Sequence, residues 1–154
     1  MKWAALILWV LTALGGFGML AIWLQRGGQQ QADRPGPRIR PPLIFGHMLL
    51  AATGLVLWII YIAADSKALA WIAFVLLLIV ASLGFAMFGL WLQRRRGAGV
   101  GRTAAAPATG EAPAPAEGDE PAEQHFPVPI VGAHGVLAAT TLVLVLLTAL
   151  GVGD

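Results

Sequence analysis

The sequence predicts an all-α integral membrane protein: four transmembrane helices forming two tandem-repeated helical hairpins, with a pseudo-twofold axis along the membrane normal. Three observations predict it. The 154-residue chain is 58% hydrophobic and only 12% charged, a balance far from that of soluble domains. Four stretches are long and apolar enough to cross a hydrocarbon core about 30 Å thick. Two motifs each occur twice along the chain.

The predicted spans cover residues 3–24, 43–64, 69–92 and 128–150, and none of them contains Asp, Glu, Lys or Arg. The first is longer than the apolar core of a secretory signal and runs into "QRGGQQQ" instead of a small-residue cleavage site, so it is expected to stay as a mature helix. Pro42 and Pro129 suit the first turns of the second and fourth helices. Residues 97–123, "GAGVGRTAAAPATGEAPAPAEGDEPAE", are rich in Ala, Pro, Gly and Glu and are expected to form a flexible cytoplasmic linker within the single four-helix domain.

The first motif reads "GFGMLAIWLQR" from Gly16 and "GFAMFGLWLQR" from Gly84; the second reads "HMLLAATGLVL" from His47 and "HGVLAATTLVL" from His134. The offsets are 68 residues for the first pair and 87 for the second, the difference falling in the longer second linker. Apolar bias explains a shared Leu-Val-Leu, but not Trp, Gln, Arg, Met and His in register. Each copy holds two spans, so both copies enter the membrane in the same direction and their axis runs along its normal.

Arginine sets the orientation. Arg26, Arg34, Arg38 and Arg40 lie between the first two spans, and Arg94, Arg95, Arg96 and Arg102 follow the third, whereas "ADSKAL" and the C-terminal "GVGD" carry little positive charge. The positive-inside rule then places both arginine loops in the cytoplasm and both termini outside. Eight arginines against two lysines, with abundant Ala, Gly and Pro, fit G/C-rich codons and hence a bacterial inner membrane. Trp23 and Trp91, just before the arginines, read as interfacial aromatics, and Gly16, Gly18, Gly84, Ala86 and Gly89 as sites of close helix approach.

Several functions find no support. The chain has no cysteine, which rules out disulfides, thiolate metal sites and covalent haem attachment. No intramembrane carboxylate or nucleophile arrangement points to hydrolysis, and no charged or broken span points to a transporter. The arginines are accounted for by topology, so nucleic-acid binding is not indicated, and no enzymatic activity is expected of the chain alone.

What remains is the histidine pair. Counted from Pro42 and Pro129, each histidine lies five residues into its helix, roughly 7–8 Å along it. Symmetry puts His47 and His134 at one depth on opposite sides of the axis. The positions three, four and seven residues on are Leu50, Ala51 and Gly54 in one copy and Leu137, Ala138 and Thr141 in the other, and Gly46, Gly132 and Gly135 flank the rings. A face of small residues either admits a flat ligand or lets helices pack closely. Intramembrane ionisable residues are functional candidates, and the pair is open to three readings: hydrogen bonding between helices, axial ligation of one haem b, or another metal, quinone or proton role. In the haem reading Arg38 or Arg40 pairs with the propionates. Met19 and Met87, one turn inside Trp23 and Trp91, would with the histidines suit Cu(I), although methionine also fills gaps in bundles. His125 has no counterpart in the first half and reads as a solvated loop residue; Thr53 and Thr140 read as bonding to their own helices.

With four spans and one histidine pair, His47 and His134, the chain resembles in architecture the small four-helix membrane b-type cytochromes. The resemblance implies a haem b held by both imidazoles, electron transfer as the task, and a redox partner. Many such cytochromes hold two haems on four histidines, and the two intramembrane histidines here allow one. The competing expectation is a cofactor-free structural or accessory subunit of a larger membrane complex.

Overall fold

The computed structural model describes residues 1–31, 38–104 and 121–152, the stretch 97–104 as backbone only. Four α-helices follow in order: α1 (Lys2–Gln25), α2 (Pro41–Ala64), α3 (Lys67–Ala104) and α4 (Val128–Ala149), with a short 3-10 helix at Ala122–His125 before α4. Each α-helix contains a stretch long and apolar enough to cross a membrane. Their ends follow from local chemistry. Prolines sit in the first turns of α2 and α4, where a missing N–H costs nothing. α1 ends on Gly27 at φ +72°, with Gly28 N–H donating to the Trp23 carbonyl and Gly27 N–H to that of Leu24, a Schellman closure. Gly151, at φ +81°, closes α4 the same way, Val152 N–H reaching the Leu147 carbonyl.

The expected spans agree with the helices to within about two residues at most ends, but α3 continues to Ala104, past the predicted limit at residue 92. The end of the expected linker also differs: Ala122 and Glu123 are buried. The remainder of the linker expectation, residues 105–120, lies outside the described residues.

α1 packs most extensively on α4, and α2 on α3, while contacts between α1 and α2 are the sparsest among the α-helix pairs that touch. The bundle is therefore two antiparallel pairs laid together, and the chain-adjacent helices α1 and α2 do not form a tight hairpin. A packed apolar core lies toward the α2–α3 link: Ala5, Trp9, Trp58, Tyr61, Ala70, Ala73, Leu77, Val145 and Ala149. Trp9 and Trp58 meet with ring centroids 6.5 Å apart, Trp58 Nε1 donates to the Lys2 carbonyl at 3.2 Å, and Gly54 leaves room for the Trp9 indole. Among lipid chains, such shape-matched packing supplies the association energy that water would supply elsewhere.

At the opposite end the two tryptophans read as interfacial face the protein interior. Trp23 and Trp91 are buried: Trp23 meets Phe45 edge-on, and Trp91 lies under the Arg95 guanidinium, 5.0 Å from its ring centroid. Trp3 and Trp71 are the outward-facing tryptophans. Gly18 and Gly89 face no neighbour within 4 Å of an added Cβ, and Ala86 is exposed, so these three do not mediate close approach.

Candidate functional site

Between the two buried ends lies a layer of different character. Over residues 12–22 of α1, 41–53 of α2, 81–90 of α3 and 128–140 of α4, every side chain keeps some exposure. His47 and His134 are in this layer, on α2 and α4, with ring centroids 6.4 Å apart and ring planes at 51°. The expected pairing across the bundle interior is thus present.

Each ring is held by a helix of the other half of the chain. His47 Nδ1 is 3.0 Å from the Val80 carbonyl of α3, and His134 Nδ1 is 2.9 Å from the Thr12 carbonyl of α1. A carbonyl only accepts, so Nδ1 carries the proton and donates, and Nε2 of each neutral ring is left as the lone-pair nitrogen. No hydrogen bond engages either Nε2 among the described residues. An imidazole oriented through Nδ1 with its Nε2 available is the usual state of a metal-ligating histidine.

The flanking residues differ from those expected. A Cβ on Gly46, Gly132 or Gly135 would meet nothing within 4 Å, so these glycines do not crowd the rings. The glycines against the imidazoles are Gly16 and Gly15 beside His134 and Gly84 beside His47. The signal for two of them was present in the sequence, since Gly16 and Gly84 match in the repeated motif, whereas Gly18 aligns with Ala86. Gly54 and Thr141, seven residues beyond the histidines, are both buried, so the face of small residues does point inward.

Met19 and Met87 are half-buried and lie three residues beyond Gly16 and Gly84, roughly 4.5 Å further along their helices. They stand one turn nearer the arginines than the imidazoles do. Arg38 is half-buried, with Nη1 donating to Gln31 Oε1 at 3.0 Å; Arg40 is exposed and precedes the first turn of α2. Gln31 Oε1 also accepts the Ala122 N–H at 3.2 Å, and buried Glu123 accepts the Ile39 N–H through Oε1 at 3.1 Å. These contacts fasten the short 3-10 helix across the arginine end, a feature that sequence reading missed because "PAEQH" carries no periodicity. His125 ends that helix and is half-buried, less solvated than expected. Thr53 and Thr140 donate to the Leu49 and Val136 carbonyls of their own helices, as expected.

Among the described residues there is no group of three or more His, Asp or Glu side chains that would hold a metal ion. Two imidazoles alone leave a zinc-type ion, which takes four ligands, short of donors, whereas a porphyrin brings four nitrogens of its own. Two metal–imidazole bonds of about 2 Å, with roughly 1 Å more from each nitrogen to its ring centre, span about 6 Å. The centroid separation of 6.4 Å fits that span. No family model matches the chain, and no curated protein or solved structure does either.

Proposed function

We propose that the protein holds one haem b between His47 and His134 and carries single electrons within a bacterial inner membrane. The observation that supports this reading best is the pair of imidazoles 6.4 Å apart, each oriented through Nδ1 by a backbone carbonyl. It is strengthened by their position in the layer of the bundle where no side chain is fully buried. His47 and His134 would hold the haem iron, and Arg38 and Arg40, just before α2, would neutralise the propionates. Bound haem supplies a one-electron iron couple. The Val80 and Thr12 carbonyls hold the two imidazoles in place, and an iron held by both would be suited to electron transfer over oxygen binding.

The reading includes an internal duplication. Its support is that structural roles pair at the sequence offsets. At an offset of 68, Thr12 and Val80 supply the carbonyls, Gly16 and Gly84 lie against the rings, and Ala5 with Ala73, Trp9 with Leu77 and Trp23 with Trp91 are buried. At an offset of 87, His47 pairs with His134, and Trp58 with Val145 and Tyr61 with Thr148 are buried. A twofold axis through the midpoint of the two rings would relate each member to its partner.

The test is a reduced-minus-oxidised absorption spectrum of the detergent-purified full chain, expressed with ample haem. Soret and α bands of a six-coordinate low-spin haem are expected, at one haem per chain. His47→Ala and His134→Ala should each lower haem content at least tenfold or convert the spectrum to a five-coordinate form, while His125→Ala leaves it unchanged. A wild-type protein without these bands would overturn the cytochrome reading and favour a cofactor-free subunit of a larger assembly.

A further inference from the structure

We infer that Gly16 and Gly84 are positioning residues for the two imidazoles, an inference that rests on the haem reading for its functional meaning. In an α-helix the carbonyl of residue i accepts the N–H of residue i+4. Gly16 stands four residues after Thr12, and Gly84 four after Val80, the two residues whose carbonyls receive the histidine N–H. Such a carbonyl has a second lone pair, which a side chain from a neighbouring helix reaches only from the flank. The side chain at i+4 leans back over the preceding turn and covers that flank. Glycine at i+4 uncovers it.

The distances bear this out on both sides of the bundle. A Cβ at Gly16 would lie 3.2 Å from His134 Cε1, and one at Gly84 would lie 3.3 Å from His47 Cε1. Both separations are short enough that the ring must give way by a few tenths of an ångström. Gly15 is different: its Cβ would lie 3.7 Å from His134 Nδ1, an ordinary contact, and its counterpart at an offset of 68 is Leu83. The requirement for glycine therefore belongs to the position four residues after the accepting carbonyl and not to the neighbourhood at large. Moving either ring changes the Nδ1–H···O=C bond, which tunes the basicity of Nε2, and changes the 51° angle between the ring planes. Gly16 and Gly84 would thus act on a bound iron through the histidines.

The experiment compares the wild-type full chain with Gly16→Ala, Gly84→Ala and the double variant, with Gly18→Ala and Gly89→Ala, where an added Cβ meets nothing within 4 Å, as controls. Midpoint potential and the low-spin electron paramagnetic resonance g values are read on haem-loaded protein, and 15N chemical shifts of the histidines on haem-free protein. Controls should match the wild type. Gly16→Ala and Gly84→Ala should each shift potential and g values in the same direction, and the double variant should shift them further. In haem-free wild type both histidines should be the Nδ1-protonated tautomer, and each alanine should mix in the other tautomer at its own histidine. Wild-type g values and tautomers in both alanine variants would overturn the inference, as would Nε2 protonation in the wild type, whether or not any variant folds. If wild type binds no haem, the haem reading fails while the 15N arm still decides the positioning role.

Discussion

A Cβ added to Gly54 would stand 3.0 Å from Cζ2 and 3.1 Å from Cη2 of Trp9, a rigid indole already held against Trp58. Alanine also gains about 1 kcal/mol over glycine in a helix interior, while overpacking costs about 1–3 kcal/mol, so Gly54→Ala should lower stability by about 1 kcal/mol net. At Gly18, where nothing lies within 4 Å, only the propensity gain remains, and Gly18→Ala should raise stability by roughly 0.5–1 kcal/mol. Gly28→Ala should be the most damaging, by about 3 kcal/mol, because its Cβ would fall within the Trp23 indole. Equilibrium unfolding of the detergent-solubilised variants checks all three signs. In the sequence these glycines look alike. The imidazole pair was legible because histidine is scarce and repeated, and the repeat marks Gly16 and Gly84; that Gly46, Gly132 and Gly135 stand clear of the rings depends on helix rotation, which no local pattern fixes when apolar residues cover every face.

The spans themselves were legible because each is an uninterrupted apolar run bounded by proline, glycine or charge, signals that act within a few residues. The continuation of α3 to Ala104 was not, since "RRRGAGVGRTA" reads by composition as a loop. Nor was the short 3-10 helix at Ala122–His125, because what orders it comes from Gln31 and Ile39, more than 80 positions away. In that element the Glu123 carboxylate is buried at the joint. Replacing Glu123 with alanine leaves the buried Ile39 N–H without its acceptor and should lower stability by about 1–3 kcal/mol. Glu123→Gln keeps an acceptor oxygen and should cost less than half as much. Limited proteolysis at the arginine end, read alongside unfolding, checks this: Glu123→Ala should be cut faster than Glu123→Gln. Equal rates for the two would mean that the carboxylate contact does not hold the 3-10 helix.

Under the proposed haem reading, the arginine distribution would make the molecule polar in the direction of electron flow. The histidines lie in the half of the bundle that ends at Arg38, Arg40, Arg94, Arg95 and Arg96, and the packed core of Trp9, Trp58, Tyr61 and Val145 fills the other half. A proposed haem edge would therefore be nearer the arginine face, and the orientation of the chain decides which compartment exchanges electrons with it. By the positive-inside rule that face is expected in the cytoplasm. Because the chain has no cysteine, single introduced cysteines report sidedness without background. Lys67 and Gln29 are both exposed and lie at opposite ends of the bundle. In intact cells Lys67→Cys should react with a membrane-impermeant maleimide, whereas Gln29→Cys should react only after the membrane is opened. Labelling of Gln29→Cys alone in intact cells would invert the molecule, place the arginine loops outside, and move the haem-proximal face to the opposite compartment. Equal labelling of both would mean that the chain inserts in two orientations, which an electron carrier serving one partner would not tolerate.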